Sequence, residues 1–214
     1  MRYLLIGTGA SIILLVALVA LNDVAHLLGY SGIGSTKVQS LQRTLPELWA
    51  APDFTLTNQA GETVTRDDLL GQVWVADFFF TSCPGICPML SANMQAMNAD
   101  LADHPLRDEL RLVSFTVDPE RDTVEVLAEY SEAIGAPPSE WLFLTGDRQA
   151  IWDLSIDGFK LEIQDTPDDP VNPILHSGKV ILVDRQGMIR GYYEGLLAEG
   201  MQELQADLEL LLAQ

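Results

Sequence analysis

The stretch that decides the fold runs from residue 73 to residue 88: Val73-Trp74-Val75-Ala76-Asp77-Phe78-Phe79-Phe80-Thr81-Ser82-Cys83-Pro84-Gly85-Ile86-Cys87-Pro88. Its first eight residues are apolar, aromatic or β-branched except for Asp77, the composition of a strand covered on both faces. A turn follows. Pro88 then fits the first position of a helix over 88–101, which carries Leu90, Met94, Met97 and Leu101 at helical spacing. Strand, turn and helix in this order mark one unit of an α/β sheet, and such sheets bind ligands beyond the carboxyl ends of their strands. The two cysteines of the chain both lie in that turn.

Outward from this unit the pattern keeps alternating. Phe54–Thr57 and Glu62–Val64 flank Asn58-Gln59-Ala60-Gly61 and predict an N-terminal hairpin. Downstream, Leu110–Val117 reads as a strand, Thr123–Ile134 as a helix, Trp141–Leu144 as a short strand, and Asp147 to about Ile156 as a helix. His176–Val183 and Met188–Tyr193 predict a second hairpin around Asp184-Arg185-Gln186-Gly187. Ala198–Leu212 closes the chain as an amphipathic helix with Met201, Leu204, Leu208 and Leu211 on one stripe. Alternation with added hairpins predicts a layered α/β domain over residues 46–214.

The remainder of the chain is different. Residues 3–22, YLLIGTGASIILLVALVALN, hold no charge and at about 1.5 Å each would span roughly 30 Å, the thickness of a bilayer's hydrocarbon core. Arg2 before the run and Asp23 after it place the N-terminus in the cytoplasm and the rest outside. A cleaved signal peptide is the competing reading, but its candidate cleavage site, Leu18-Val19-Ala20, has Leu where a small residue belongs. The expected organisation is a transmembrane anchor over 1–22, a Gly- and Ser-rich tether over 23–45 and the folded domain over 46–214, on the periplasmic side of the cytoplasmic membrane.

Composition narrows the function. The 214 residues are 48% hydrophobic and 20% charged, too apolar for disorder. A net charge of −19 argues against a nucleic-acid partner and against docking on anionic lipid through a basic surface. Two cysteines are too few for a disulfide-stapled miniprotein or a four-cysteine zinc site.

The cysteine pair is the main chemical feature. On one regular helix, residues four apart have Cβ atoms roughly 5–6 Å apart, too far for the 3.5–4.5 Å of a disulfide. A helix beginning at Pro88 leaves Cys83 and Cys87 on a loop that can fold them together. The helix N-terminus would make both thiols easier to ionise. The pair could form a disulfide or clamp a soft metal, and both readings stand. Of the three histidines, His26 and His104 read as solvated loop residues. His176, opening the strand His176–Val183, could fold beside the cysteines, although composition alone favours a structural role for it. Two thiolates and one imidazole are one ligand short of a structural zinc site but suit Cu(I). Asp118, at a strand end, could tune such a site or add an oxygen ligand for Cu(II); it could equally serve a turn. Asp122 with Glu125 has the spacing of a helix-capping arrangement.

With these residues assembled, the sequence resembles the Sco/SenC family of thioredoxin-fold copper chaperones. The resemblance rests on Ala51-Pro52-Asp53-Phe54, Leu69-Leu70-Gly71, Asp77–Thr81 and Cys83-Pro84-Gly85-Ile86-Cys87-Pro88. It continues through Val117-Asp118-Pro119-Glu120-Arg121-Asp122-Thr123, Leu175-His176-Ser177 and Val183–Gly187. It implies a thioredoxin-like three-layer sandwich with an N-terminal hairpin and an inserted hairpin, following the transmembrane helix. It also implies Cu(I) or Cu(II) bound by Cys83, Cys87 and His176, and a role in assembling the copper centre of cytochrome c oxidase, with a copper-receiving oxidase subunit as partner. The alternative is a thiol–disulfide reductase in which Cys83 and Cys87 are redox-active and keep the target's copper-binding cysteines reduced. A peroxiredoxin is disfavoured: Thr81 lies two residues before Cys83, where that motif wants three. The acidic stretch 165–172 leaves the docking surface open.

Overall fold

Val73–Phe79 forms a strand in which every residue is buried, as a run of that composition requires when both faces are covered. The computed structural model describes residues 44–169 and 173–214. The expected anchor over 1–22, the tether through residue 43 and residues 170–172 of the acidic stretch lie outside the described residues. Among the described residues no helix is long and apolar enough to cross a membrane.

Leu45–Gln214 forms one unit. Its strands are β1 (Thr55–Asn58), β2 (Thr63–Thr65), β3 (Val73–Phe79), β4 (Leu110–Thr116), β5 (Trp141–Thr145), β6 (Ile163–Asp165), β7 (Ile174–His176), β8 (Lys179–Val183) and β9 (Ile189–Glu194). Seven of them make one mixed sheet in the order β2-β1-β5-β4-β3-β8-β9, while β6 and β7 pair separately. β3 runs parallel to β4 and β4 to β5, whereas β8 pairs antiparallel with β3 and β9 antiparallel with β8. The helices are α1 (Cys87–Asp100), α2 (Val124–Ala133), α3 (Arg148–Asp153), which continues into a π turn over Leu154–Gly158, and α4 (Ala198–Leu212).

Register decides which side chains share a face. Asp77 lies beside Ser114, and Ser114 beside Phe143. Phe79 of that row packs against Tyr130 of α2, whose hydroxyl donates to Ser91 of α1 at 2.8 Å. Tyr193 of β9 donates to Asp207 of α4 at 2.9 Å. Phe78 and Phe115, neighbours in register, point the other way and meet Phe159, which follows the π turn. The domain is a mixed α/β sandwich with α1, α2 and α4 on one face of the sheet and α3 with its π turn on the other.

Two expectations change here. His176 does not open the long strand: it ends β7, opposite Ile163, and the long strand begins at Lys179. The chain breaks at Ser177-Gly178 because it crosses closely over its neighbours. A Cβ on Gly178 would lie 2.9 Å from Leu196 Cδ1 and 3.6 Å from Ile86 Cδ1. The second change is at Asp122, which does not cap α2. Thr123 does, its Oγ1 accepting from the Val126 amide at 3.4 Å.

Candidate metal centre

β3 delivers the chain to the site at its carboxyl end. Phe80 is buried, Thr81 and Ser82 form a turn, and the Cys83 amide donates to the Phe80 carbonyl at 3.3 Å. Cys87 is the first residue of α1, with Ile86 in the capping position and Pro88 in the second helical position, where a missing amide costs no helical hydrogen bond. The helix therefore starts one residue earlier than expected. Cys83 remains outside it, so the i,i+4 separation of a regular helix does not apply to this pair. Both cysteines are buried free thiols.

The β6–β7 hairpin supplies the third group. The His176 ring meets Phe80 edge to face, with centroids 5.7 Å apart. Its Nε2 lies 3.1 Å from Cys87 Sγ, and its Nδ1 lies 3.0 Å from the Ser177 carbonyl. A carbonyl only accepts, so Nδ1 carries the proton. Nε2 then turns a lone pair toward a metal or, in the imidazolium, a second proton toward a thiolate. The ligand atoms of Cys83, Cys87 and His176 all lie within 4.8 Å of one another, and among the described residues they form the one such trio of His, Cys, Asp or Glu.

The two thiols differ. Burial pushes the Cys83 thiol up, but hydrogen bonds from His176, from the Cys87 thiol and from the Cys87 and Gly85 amides together outweigh it and bring it to about 6. Burial also pushes the Cys87 thiol up. Its bond to Cys83 and the nearby Cys83 and Asp77 charges push the same way, leaving it well above the ordinary thiol range. The expectation that both thiols ionise readily thus holds for Cys83 alone. At Cys87 desolvation outweighs the helix terminus.

Of the remaining candidates, Asp118 is not part of the trio. It is buried beside Arg121, whose Nε lies 3.6 Å from its carboxylate, and burial holds its carboxyl above the usual range. His104 accepts from the Leu106 amide within its own turn, at 3.2 Å. His26 lies outside the described residues. Sequence reasoning missed Phe80, the Ser177 carbonyl and the actual partners of Asp122, because each contact joins residues distant in sequence or depends on backbone direction. The site is reached from two sides. A cleft of about 220 Å³ between α1 and α2 is lined by both cysteines, Gln95 and Tyr130. Another, of about 760 Å³, opens along β6 and β7 beside His176.

Two sulfurs and one nitrogen converging within 4.8 Å can close as a disulfide or hold one soft ion. Similar domains occur in known proteins. The SCO1 protein homolog of Bacillus subtilis is 32% identical over 144 residues, covering 67% of this chain and 72% of that protein. A SCO1/SenC family lipoprotein from Bacillus anthracis superposes with a TM-score of 0.72 at 30% identity, over 80% of this chain and 99% of that one. Bradyrhizobium japonicum ScoI, solved with copper bound, superposes with a TM-score of 0.61 at 25% identity, over 76% and 99%. The family profile described as SCO1/SenC matches residues 43–212, from just before the described unit to the end of α4. The fold is accordingly the thioredoxin-like fold of that family, and the chain belongs to the SCO1/SenC family.

Proposed function

We propose that this protein binds copper through Cys83 Sγ, Cys87 Sγ and His176 Nε2 and carries it to the copper centre of cytochrome c oxidase. The observation that carries the reading is the trio itself, with the imidazole's other nitrogen tied to a backbone carbonyl so that Nε2 faces the sulfurs. Thiolate and imidazole donors suit Cu(I). The copper-bound Bradyrhizobium relative supports the metal. In this reading Asp118 tunes the site or adds an oxygen for Cu(II). Residues 1–22 anchor the chain, 23–45 tether it, and 46–214 work on the periplasmic face. The uncharged run 3–22 supports that placement, and the description of the B. anthracis relative as a lipoprotein supports attachment to a membrane.

The second reading, a thiol–disulfide reductase, is favoured by one observation: Cys83 ionises easily while Cys87 holds its proton, the division between an attacking and a resolving thiol. Anaerobic Cu(I) titration of the full-length protein separates the two. Wild type is expected to bind one copper, His176→Ala to bind at least tenfold more weakly with its disulfide chemistry retained, and Cys83→Ser/Cys87→Ser not to bind. Undiminished copper affinity in His176→Ala would move the reductase reading ahead.

A further inference from the structure

The geometry points to Asp122 as the positioning residue of the cysteine loop. It is 0% exposed, yet among the described residues no cation pairs with it; its neighbour Arg121 turns instead to Asp118. Its carboxylate is filled by the turn ahead of the cysteines and by the end of β4. Oδ2 accepts from the Thr81 amide at 3.1 Å and from Thr116 Oγ1 at 2.5 Å, and Oδ1 accepts from Thr81 Oγ1 at 2.5 Å. The Asp122 carbonyl accepts from Thr145 Oγ1 at 2.8 Å, which ties the same residue to the end of β5. Thr116 Oγ1 in turn accepts from the Asp118 amide at 3.0 Å. One buried residue therefore gathers three elements, its carboxylate holding the end of β4 and the turn after β3 and its carbonyl the end of β5.

Cys83 lies two residues beyond the double contact at Thr81. A carboxylate that only stabilised the fold could take its donors from any neighbouring elements. This one holds the loop by both a backbone and a side-chain group, immediately before the first sulfur. Burial makes the arrangement stiff, because hydrogen bonds to a charged acceptor are the stronger kind and no water replaces one that is lost. A disulfide demands a specific geometry of Cys83 and Cys87 that a dithiol does not, so loosening the turn should change the balance between those two states. A purely structural bond would stabilise both states alike and leave the balance unmoved.

The inference requires only that the cysteine loop is the working site, as copper clamp or as dithiol, and its test reads thiol chemistry without copper. Failure of copper binding and failure of this inference are therefore distinguishable. Full-length wild type, Thr81→Val and Thr81→Ser would be equilibrated in glutathione buffers and quenched by alkylation. In that exchange two protein thiols become one disulfide while one oxidised glutathione becomes two reduced ones. Thr81→Val keeps the backbone contact but removes the hydroxyl, and is expected to shift the equilibrium constant by about tenfold. Thr81→Ser, which restores the hydroxyl, should stay within about twofold of wild type. Thr116→Val frees the same carboxylate from the strand side and serves if Thr81→Val does not fold; it should shift the constant in the same way. A folded Thr81→Val or Thr116→Val with the wild-type constant, or a Thr81→Ser displaced as far as Thr81→Val, would overturn the assignment.

Discussion

Cys83 and Cys87 sit on one turn, yet their protons are held on opposite terms. Cys83 lies at the rim, 8% exposed, and gathers donors that bring its thiol to about 6. Cys87, 2% exposed, has desolvation and the neighbouring sulfur against its ionisation. Thiolate is the reactive form, so in reduced protein at pH 7 iodoacetamide should modify Cys83 first and leave Cys87 largely untouched. Because thiolate is lost below the pKa, the Cys83 rate should fall as pH drops through about 6. Mass spectrometry of partly labelled protein reads the order, and equal labelling of both cysteines at pH 7 would contradict the asymmetry.

At the scale of the elements, the centre of β3 carries an unusual burden. Asp77 is wholly buried between β4 and the helical layer. Its Oδ1 accepts from Ser114 Oγ, which itself accepts from Trp141 Nε1 at 2.8 Å, while Oδ2 has no hydrogen-bond partner among the described residues. Burial raises this carboxyl to about 6, against the pull of the Ser114 bond and of His176. The sign follows from proton linkage. Between pH 3.8, where the unfolded carboxyl ionises, and about 6, the folded state binds more protons, so this group's contribution to stability falls as pH rises and levels off above 6. The amplitude is about 3 kcal/mol. Asp77→Asn lacks this dependence. In urea denaturation, its stability relative to wild type should improve by roughly that amount between pH 4 and pH 7. A difference independent of pH would mean that the carboxyl is not raised.

At the scale of the whole described domain, its N-terminal segment is held in place by a buried ion pair. Arg190 of β9 bonds Asp184 Oδ2 at 2.7 Å and also donates to the carbonyls of Leu45 at 2.6 Å and Pro46 at 2.8 Å. The other oxygen of Asp184 accepts the Gln186 and Met188 amides of the β8–β9 turn. The segment then lies along the edge of the sheet, with Leu48 donating to Ile189 at 2.9 Å and Trp49 packed on Tyr192. Arg190→Leu would strand one buried carboxylate and two carbonyls, a loss of about 3–5 kcal/mol. Denaturant melts should show that loss, and limited proteolysis should cut near residues 45–50. A loss under about 1 kcal/mol would show that the segment is held by its backbone pairing alone.

Periodicity and punctuation were enough to place the local elements. The apolar run at Val73, the amphipathic stripe of Ala198–Leu212 and the hairpin around Asn58-Gln59-Ala60-Gly61 each depend on residues close in the chain, and each element appears where its pattern lies. The cysteine spacing and the later histidine were likewise legible, and with the Val117–Thr123 block they carried the family. Contacts across the chain were not legible. That Asp122 turns away from α2 to hold Thr81 follows from the parallel register that brings the ends of β3 and β4 together. That His176 ends a short strand of its own follows from the tight crossing at Gly178. The opposite ionisation of two neighbouring thiols follows from tertiary contacts: hydrogen bonds from His176, Cys87 and Gly85 outweigh burial at Cys83, whereas burial and the neighbouring sulfur prevail at Cys87. Sequence patterns report each residue's preference for water and its local backbone geometry, whereas register, crossing and depth belong to pairs of segments and exist only once the sheet has assembled.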